Sequence, residues 1–437
     1  MASFTPILLS LPSLTPSVAV EILPHGLTIN RIYVQAEGRT HDLVLGPESP
    51  QDHLGQKYVN TIIGRYSNRI PTGEHVIERN GVTAKLTSLP NESPQVSLHG
   101  GPTGFDSLPW EQVSSKSDMT LFTNAELDHL HTTSTALFRL VSPDGDQGFP
   151  GALLIETLVT LVAPVEQERH YVKPGDTVEP VEYELGSVVI VYRAKLQTEN
   201  TVTPVNLTQH WGFNLDASLK KDDASTVKAH NLSIKSDRIV KRDAHSLATG
   251  FTPTKDDEAH THNGKLIGDK FPVDANGYDD FYVFSDNPPA QIPKRFASSK
   301  LSADSEHDLV KDIVEPAGTP RQPNGQRADS VVELSSKASG LKLLFDTNQS
   351  GVMFYTNNWA NKDGARKKIH GGTGIKGTGN GYVPGSAAFL EFHDPLAAFL
   401  DPANKNDDDT LITSDEIYHN YVRMDIRYTE GKKSTAE

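Results

Sequence analysis

Apolar and polar residues alternate along several stretches of this chain, and this period-two pattern is typical of β-strands. One such stretch is Thr203–Leu215. As a strand, it would place the following apolar side chains on one face, with Gln209 as the polar exception: Val205, Leu207, Trp211, Phe213 and Leu215. The other face would carry Asn206, Thr208, His210 and Asn214. An ordinary half-exposed strand fits this pattern, and so does a row of hydrogen-bonding groups around His210 that suits a hydroxyl-rich ligand.

Other stretches predict the same kind of structure. Leu153–Val162 is an apolar, β-branched run typical of buried strands, and Ser187–Gln197 ends in an alternation that sets Arg193 and Lys195 opposite apolar neighbours. Asn80-Gly81 is a two-residue hairpin signal. Proline (28) and glycine (33) are spread along the chain, which indicates many turns. We therefore predict an all-β fold of sheets packed face to face.

We expect a single domain over residues 1–437, with three additions to its framework at about 164–186, 286–330 and 360–386. The first has mixed charge, the second suits a long surface excursion, and the third is dominated by glycine. Within the third, Gly372–Gly377 matches the dinucleotide-binding pattern letter by letter. Because Gly379, Gly381 and Pro384 follow it, we predict that no helix starts there, and a helix is what that kind of site requires.

Charge and composition narrow the possible partners. The 437 residues include 41 Lys and Arg against 56 Asp and Glu, a formal net charge of −15, which disfavours nucleic acid and anionic membrane surfaces. The chain has no cysteine, which excludes disulfides and thiolate nucleophiles. Apolar Ile7–Leu11 lacks a basic flank and reads as an early strand, not a signal peptide. We expect a cytoplasmic protein without a membrane partner, and the sequence leaves the oligomeric state open.

Several short segments carry candidate chemistry. Asn68 and Arg69 place an amide beside a guanidinium, and each group can form two hydrogen bonds with vicinal hydroxyls. His99 precedes two glycines, Asp279 follows a turn, and Glu391 lies in the strand-like run Ala387–His393. Each has an ordinary structural explanation when taken alone. His260 and His262 can ligate zinc with a third group, but their polar surroundings favour a solvated loop.

Taken in order, the motifs resemble the aldose 1-epimerase (galactose mutarotase) family from about residue 45 to the end. The resemblance rests on Gly64–Ile70, Leu98–Gly101 with Gly104–Asp106, Ser142–Gly145 with Gly148–Gly151, Thr203–Leu215, Gly277–Asp279, Gly351–Thr356 and Phe389–Glu391. It implies a large antiparallel β-sandwich (a galactose mutarotase-like supersandwich) with a sugar cleft on one sheet. That expectation agrees with the strand-rich pattern.

By position, the resemblance implies that His210 is the general acid and Glu391 the general base. It further implies that Asn68, Arg69, His99 and Asp279 hold the sugar hydroxyls. A carboxylate and an imidazolium can interconvert the α and β anomers of a monosaccharide without a metal or an organic cofactor. From reference pKa values we expect Glu391 to be ionised, and a nearby carboxylate to help keep His210 protonated.

The chain departs from the family pattern at two places. Trp211-Gly212 follow the histidine where the family usually has Ser and an aromatic residue, and Met353 stands where well-characterised members carry a glutamine that touches the sugar. Three functions therefore stay open: a mutarotase of free hexoses, an epimerase of hexose 6-phosphates, and a carbohydrate-binding protein without turnover. A phosphorylated substrate needs a basic cluster, to which Arg366–Lys368 could contribute.

Overall fold

The fold consists of many short strands joined by turns. The computed structural model describes residues 2–165, 181–220, 226–285, 292–301, 305–316, 330–404 and 408–430. In chain order the strands are β1 (Ile7–Ser10), β2 (Val18–Leu23), β3 (Thr28–Ala36), β4 (Arg39–Asp42), β5 (Ile62–Ile63), β6 (Arg69–Pro71), β7 (Gly73–Arg79), β8 (Val82–Ser88), β9 (Val96–Leu98), β10 (Glu111–Val113), β11 (Thr135–Ser142), β12 (Leu153–Val162), β13 (Glu182–Leu196) and β14 (Val202–Pro204). They continue with β15 (Thr208–Gln209), β16 (Gly212–Phe213), β17 (Asn231–Ile234), β18 (Ser236–Arg242), β19 (Ala248–Pro253), β20 (Asn263–Leu266), β21 (Asp279–Phe284), β22 (Arg295–Ala297), β23 (Val332–Ser335), β24 (Leu341–Thr347), β25 (Gly351–Tyr355), β26 (Ala388–His393), β27 (Leu411–Thr413) and β28 (Glu416–Thr429).

Helical structure is sparse by comparison. The one α-helix among the described residues is α1 (Asn124–Asp128), which begins with a capping box between Thr123 and Glu126. Short 3-10 turns occupy Ala2–Phe4, Pro50–Gly55, Phe105–Ser107, Lys116–Asp118, Thr132–Ser134, Asp146–Gly148, Ala217–Leu219, Thr254–Asp256, Ser298–Lys300, Lys368–His370, Ala398–Leu400 and Pro402–Asn404. No helix in the described ranges is long and apolar enough to cross a membrane.

Two large antiparallel sheets dominate the architecture. A ten-stranded sheet has the order β10-β11-β12-β13-β28-β24-β23-β17-β20, and β22 also pairs with β28. A six-stranded sheet has the order β16-β26-β25-β21-β18-β19, and strands β1 to β4 form a smaller sheet. Asn80 and Gly81 form the predicted two-residue turn between β7 and β8, with φ of 53° and 75°. The all-β sandwich prediction is confirmed.

The large sheets pack on each other through one apolar core. The ring of Phe345 in β24 lies 5.1 Å from that of Phe392 in β26 and 6.1 Å from that of Trp211. Because side chains alternate along β26, the residues Phe389, Glu391 and His393 point from its other face. We call this second face of the six-stranded sheet the site face.

The segment that contains His210 is not one strand, contrary to our expectation. It divides into β14, β15 and β16, which pair with β27, β5 and β26 respectively. The segment therefore pairs with three different strands in turn, so it does not form one continuous ladder. Both sets of its side chains are buried, so the period-two pattern marks two packed faces and not a half-exposed strand.

Two of the expected additions differ from the prediction. Residues 182–186 belong to β13 and pair with β28, so an insertion there ends before Glu182, and residues 166–180 lie outside the described part of the chain. In the described parts of 286–330, Arg295–Ala297 form β22 of the ten-stranded sheet, and Val310 and Ile313 are buried in one cluster with Phe296 and other side chains of that sheet. These described residues are packed into or against the sheet, so they are not a surface excursion. As predicted, no helix starts at Gly372–Gly377.

The expectation of a solvated loop at His260 and His262 was also wrong. His262 is buried, and the rings of both histidines share hydrogen bonds with the hydroxyl of Tyr282, at 2.8 Å from His260 and 3.1 Å from His262. Their polar neighbours in the sequence gave no sign of the aromatic residues that pack on them.

Candidate functional site

His210 and Glu391, 181 residues apart in the sequence, meet on the site face. His210 Nε2 lies 3.2 Å from Glu391 Oε1, and the side chains are 10% and 2% exposed. Backbone bonds fix the histidine: its N–H donates to Thr61 O at 2.9 Å, and its carbonyl accepts from the N–H of Asn60 at 2.8 Å. Glu391 is fixed by the ladder of β26 with β25, in which it faces Met353.

Burial controls the protonation of this pair. It lowers the pKa of His210 to about 4, and it raises the pKa of Glu391 well above its ordinary value, with the Asp279 carboxylate adding to that rise. These directions run against the expectation of an ionised Glu391 and a protonated His210, because desolvation by burial is the largest cause of both pKa shifts. The protein alone thus favours the neutral forms, with one proton shared by the pair.

His99 and Asn68 lie next to the pair and hold each other. The Asn68 N–H donates to His99 Nδ1 at 3.2 Å, and the His99 N–H donates to the Asn68 carbonyl at 3.1 Å. Both residues have left-handed backbones, with φ of 63° and 54°, a costly conformation that aims their side chains. Burial lowers the pKa of His99 well below its ordinary value. A neutral ring that accepts at Nδ1 carries its proton on Nε2, so His99 has an N–H to donate.

A row of ion pairs closes the other side of the site. Arg69 donates to both carboxylate oxygens of Glu92, at 2.7 and 2.8 Å, and its NH1 lies 3.9 Å from Asp279 Oδ2. Arg242 donates to Asp279 and Asp280, each at 3.3 Å. Asp279 therefore lies between two guanidinium groups. The structure brings together all six residues that we singled out from the sequence: Asn68, Arg69, His99, His210, Asp279 and Glu391.

Sequence reasoning missed several neighbours of the site. The ring of Tyr58 lies 4.8 Å from that of His99, and the ring of Phe389 lies 4.9 Å from that of His210. Arg242 contacts Asp279, as described. Phe389 could have been identified from the sequence, since it is two residues before Glu391 in a strand-like run. Tyr58 and Arg242 could not, because only the fold places them near the histidines and Asp279.

The floor beside Glu391 is apolar. Met353 packs with Val240, Phe281 and Leu396 in a small buried cluster on the site face. In register across the sheet, Glu391 faces Met353 and Met353 faces Phe281. A sugar held between Glu391 and Asp279 would meet a thioether at this position and no amide.

Two histidines and one carboxylate also make a possible metal site. One donor atom from each of His99, His210 and Glu391 lies within 4.8 Å of the others, and this donor set is one that zinc accepts. The tautomer of His99 argues against this use: Nδ1 accepts from the Asn68 N–H, so only Nε2 is left for a metal, and that nitrogen carries the ring proton. Two buried atoms, His210 Nδ1 and Glu391 Oε2, have no hydrogen-bond partner within the described residues. Such atoms are normally satisfied, so they are points where ligand hydroxyls can bind.

A larger cleft near this sheet lies away from the histidine–carboxylate pair. It has a volume of about 520 Å³ and is formed by the β18–β19 hairpin, Pro71 and residues 395–404. None of the six candidate residues lines it. We place the site at the histidine–carboxylate pair because the titratable groups converge there, and cavity size alone gives no chemistry.

Comparison with known proteins agrees with this geometry. The sequence model of the family described as aldose 1-epimerase matches residues 13–164 and 174–377. The chain belongs to the aldose 1-epimerase family. The matched residues include five of the six candidates, and Glu391 lies beyond them, so its place in the site rests on the structure.

Individual relatives are distant. The chain is 26% identical to the galactose mutarotase of Rattus norvegicus over 343 residues, which is 78% of this chain and 75% of that protein. It is 28% identical to the aldose 1-epimerase of Escherichia coli K12 over 289 residues, 64% of this chain and 68% of that protein. With the galactose mutarotase of Bos taurus the identity is 29%, and the match spans about half of each protein, 53%.

Solved structures show the same fold. A GalM/aldose epimerase homologue from C. elegans superimposes with a TM-score of 0.65 at 18% identity, covering 98% of this chain and all of that one. The galactose 1-epimerase of Lactobacillus acidophilus NCFM gives a TM-score of 0.59 at 16% identity, covering 98% and 99%. At these identities the likeness concerns the fold.

Proposed function

We propose that this protein is a mutarotase, an aldose 1-epimerase that interconverts the α and β anomers of free hexoses of the glucose and galactose class. The observation that carries the proposal is the buried contact of 3.2 Å between His210 Nε2 and Glu391 Oε1. An imidazole and a carboxylate at this spacing can serve two oxygen atoms of one small substrate. Asn68, Arg69, His99 and Asp279 surround the pair with donors and acceptors for the remaining hydroxyls.

In the proposed reaction, Glu391 removes the proton of the C1 hydroxyl while His210 donates a proton to the ring oxygen. The bond between C1 and the ring oxygen breaks as the C1 carbonyl forms. C1 then turns about its bond to C2, and the reverse transfers close the ring on the other face. The chain's own groups accept one proton and donate the other, so we expect no metal or organic cofactor.

Burial determines which form of the pair is stable: the ring opening written above starts from the ionised pair, which the free protein disfavours. A buried carboxylate and a buried imidazolium are both destabilised relative to their neutral forms, as the pKa directions of Glu391 and His210 indicate. Proton transfer to and from the sugar converts them into a neutral acid and a neutral imidazole. Each well-placed proton-transfer group typically contributes ~10²–10⁴ in rate.

The charges around the site favour a neutral sugar over a hexose 6-phosphate. Arg69 and Arg242 are matched by Glu92, Asp279 and Asp280, which outnumber them. The other basic cluster that we considered, Arg366–Lys368, does not offer three free cations, because Lys367 is fully buried and bonded to Asp42 at 2.8 Å. A phosphate would have to displace carboxylates to reach Arg69 or Arg242.

The test is the change in optical rotation of freshly dissolved α-D-glucose and α-D-galactose. We expect purified protein to accelerate it, and treatment with EDTA to leave the rate unchanged. Glucose 6-phosphate is the comparison substrate, with a much lower kcat/KM expected. If binding of the sugars is measurable by calorimetry but neither is accelerated, the chain is a binding protein and not a mutarotase.

Two further statements stay predictions: that residues 1–437 form one domain, and that the protein is cytoplasmic. The first can be tested by limited proteolysis, which should yield no stable fragment that retains sugar binding by itself.

A further inference from the structure

The chain contains five places at which asparagine is followed directly by glycine, and the mechanism above gives none of them a role. These Asn-Gly steps begin at Asn80, Asn263, Asn276, Asn324 and Asn380. Such a step is chemically labile, because the backbone nitrogen of glycine can attack the asparagine side chain and no Cβ on the glycine hinders it. Asn324 lies outside the described residues. For the other four steps, the fold decides which can react.

The reaction needs a free backbone nitrogen and a free side-chain amide. The glycine nitrogen loses its proton and bonds to Cγ of the asparagine. The bond from Cγ to Nδ2 breaks, and ammonia leaves with that proton, which closes a succinimide ring. Water then opens the ring: cleavage at Cγ gives aspartate, and cleavage at the backbone carbonyl gives isoaspartate, whose main chain runs through Cγ. Hydrogen bonds that hold either group must therefore break first.

The step Asn80-Gly81 is free in both respects. Both residues are exposed at the tip of the β7–β8 hairpin, and neither the Asn80 side chain nor the Gly81 N–H forms a hydrogen bond with the described residues. A Cβ built on Gly81 would have nothing within 4 Å, so the space around the turn is open. Strands β7 and β8 pair only with each other. A two-stranded hairpin of this kind opens most easily at its tip.

The step Asn276-Gly277 is held at both groups. Asn276 Nδ2 donates to the Asn358 carbonyl at 2.7 Å, and the Gly277 N–H donates to the Pro272 carbonyl at 3.0 Å. Gly277 is also buried. The attacking nitrogen and the amide that it must reach are therefore both fixed by the fold.

The two remaining described steps are held to different degrees. Asn380 Oδ1 accepts from the Thr373 N–H at 2.9 Å, and the Gly381 N–H donates to the Lys362 carbonyl at 2.7 Å. Asn263 lies in β20, which pairs with β17, and the glycine after it falls at an irregularity in that ladder. We therefore expect Asn263 to react more slowly than the hairpin turn and faster than the two steps that are hydrogen-bonded at both groups.

We propose that Asn80 is a modification site, at which the folded protein converts its own asparagine into isoaspartate and aspartate. The turn needs left-handed backbones at both of its positions, here with φ of 53° and 75°. Isoaspartate adds a methylene group to the main chain of this turn and leaves a carboxylate in it. The pairing of Arg79 with Val82, which the turn sets, is then lost.

The effect stays local because the base of the hairpin is anchored. Ser88 Oγ donates to the carbonyls of Pro71 and Gly73, at 2.6 and 3.3 Å, and Leu86 is fully buried. Pro71 ends β6, the strand that begins with Arg69 of the site. The modification therefore loosens the tip of β7–β8 and leaves Arg69 in place. It does not depend on the reaction at the histidine–carboxylate pair.

The test is to age the full chain at mildly alkaline pH and to digest it for mass spectrometry. Deamidation appears as a gain of about 1 Da at each Asn-Gly step, and chromatography separates isoaspartate from aspartate. We expect Asn80 to convert at least about tenfold faster than Asn276 and Asn380, where two hydrogen bonds must open first. In urea the steps should convert at similar rates. The proposal is wrong if Asn276 or Asn380 keeps pace with Asn80 in the folded protein, or if Asn80 leads by as much in urea.

The matched control is Asn80→Gly, because glycine adopts the left-handed backbone of the turn and has no side-chain amide. After equal ageing, we expect hydrogen exchange at the tip of β7–β8 to be faster in the wild type and unchanged in Asn80→Gly. Equal acceleration in both proteins overturns the assignment to Asn80. Neither measurement uses a sugar, so failure of the proposed function leaves this inference standing.

Discussion

Replacing Arg193 by methionine should destabilise the fold strongly without touching the site. Arg193 lies in β13, on the outer face of the ten-stranded sheet, and is 0% exposed. Its guanidinium donates to both oxygens of Glu126, at 2.6 and 2.7 Å, and to the Leu121 carbonyl at 2.7 Å. It also lies over the rings of Phe122 and Phe296, at 4.5 and 5.1 Å.

The size of the loss in stability follows from the carboxylate that stays buried when Arg193 is removed. Without Arg193, Glu126 stays buried, and the donors left to it among the described residues are neutral, the N–H groups of Leu309 and Thr123. Removing one partner of a buried pair typically costs about 3–5 kcal/mol, because a charge is left uncompensated. That is a large share of the roughly 5–15 kcal/mol by which domains are stable. Replacing both Arg193 and Glu126 by methionine removes the stranded charge, so this double variant should recover much of the loss.

The assay is urea denaturation followed by circular dichroism, with midpoints compared at unchanged slope. Lys195→Met is the matched control, since Lys195 lies two residues along the same face of β13 and is only half-buried. It should change the free energy of unfolding by less than about 1 kcal/mol. If Arg193→Met is as mild as the control, the burial and pairing described for Arg193 are wrong.

Three further predictions concern the site. Activity should fall as the pH drops through about 4, because a second proton then enters the pair at His210 while Glu391 is still protonated, which leaves no base; an acid-side fall in kcat/KM that is already centred near the ordinary histidine value of about 6.5 would contradict this. Arg242→Met frees Asp279 and should raise KM for galactose about two- to fivefold with little change in kcat, whereas an equal fall in kcat would show a different role. Met353→Gln should change the ratio of kcat/KM for galactose and glucose about two- to tenfold, with Met353→Leu as the neutral control; an unchanged ratio places Met353 away from the sugar.

The sequence predicted the strands well where they form regular ladders. β12 coincides with the apolar run Leu153–Val162, and the turn at Asn80-Gly81 lies where its residues indicated. An alternation of apolar and polar residues indicates a strand, but it does not show what covers either face of that strand. This is why the alternation around Arg193 did not show that its guanidinium is buried against Glu126 of α1 and the rings of Phe122 and Phe296.

The candidate residues could be chosen from motifs because each lies in a short recognisable segment. Their protonation could not, because the pKa of His210 depends on desolvation by residues far away in the sequence. Arg242 is the clearest omission. It lies at the end of an ordinary polar strand, and only the pairing of β18 with β21 places it against Asp279.

The central claim is that His210 and Glu391 work as one unit. It is tested most directly by NMR exchange spectroscopy of the anomeric protons of galactose, with wild type, His210→Asn, Glu391→Gln and the double variant at equal concentration. We predict that the exchange rate falls ~10²–10⁴-fold in each single variant. The double variant should exchange no more slowly than the less active of the two single variants. Losses that multiply in the double variant, or a single variant that keeps the wild-type rate, would contradict the account.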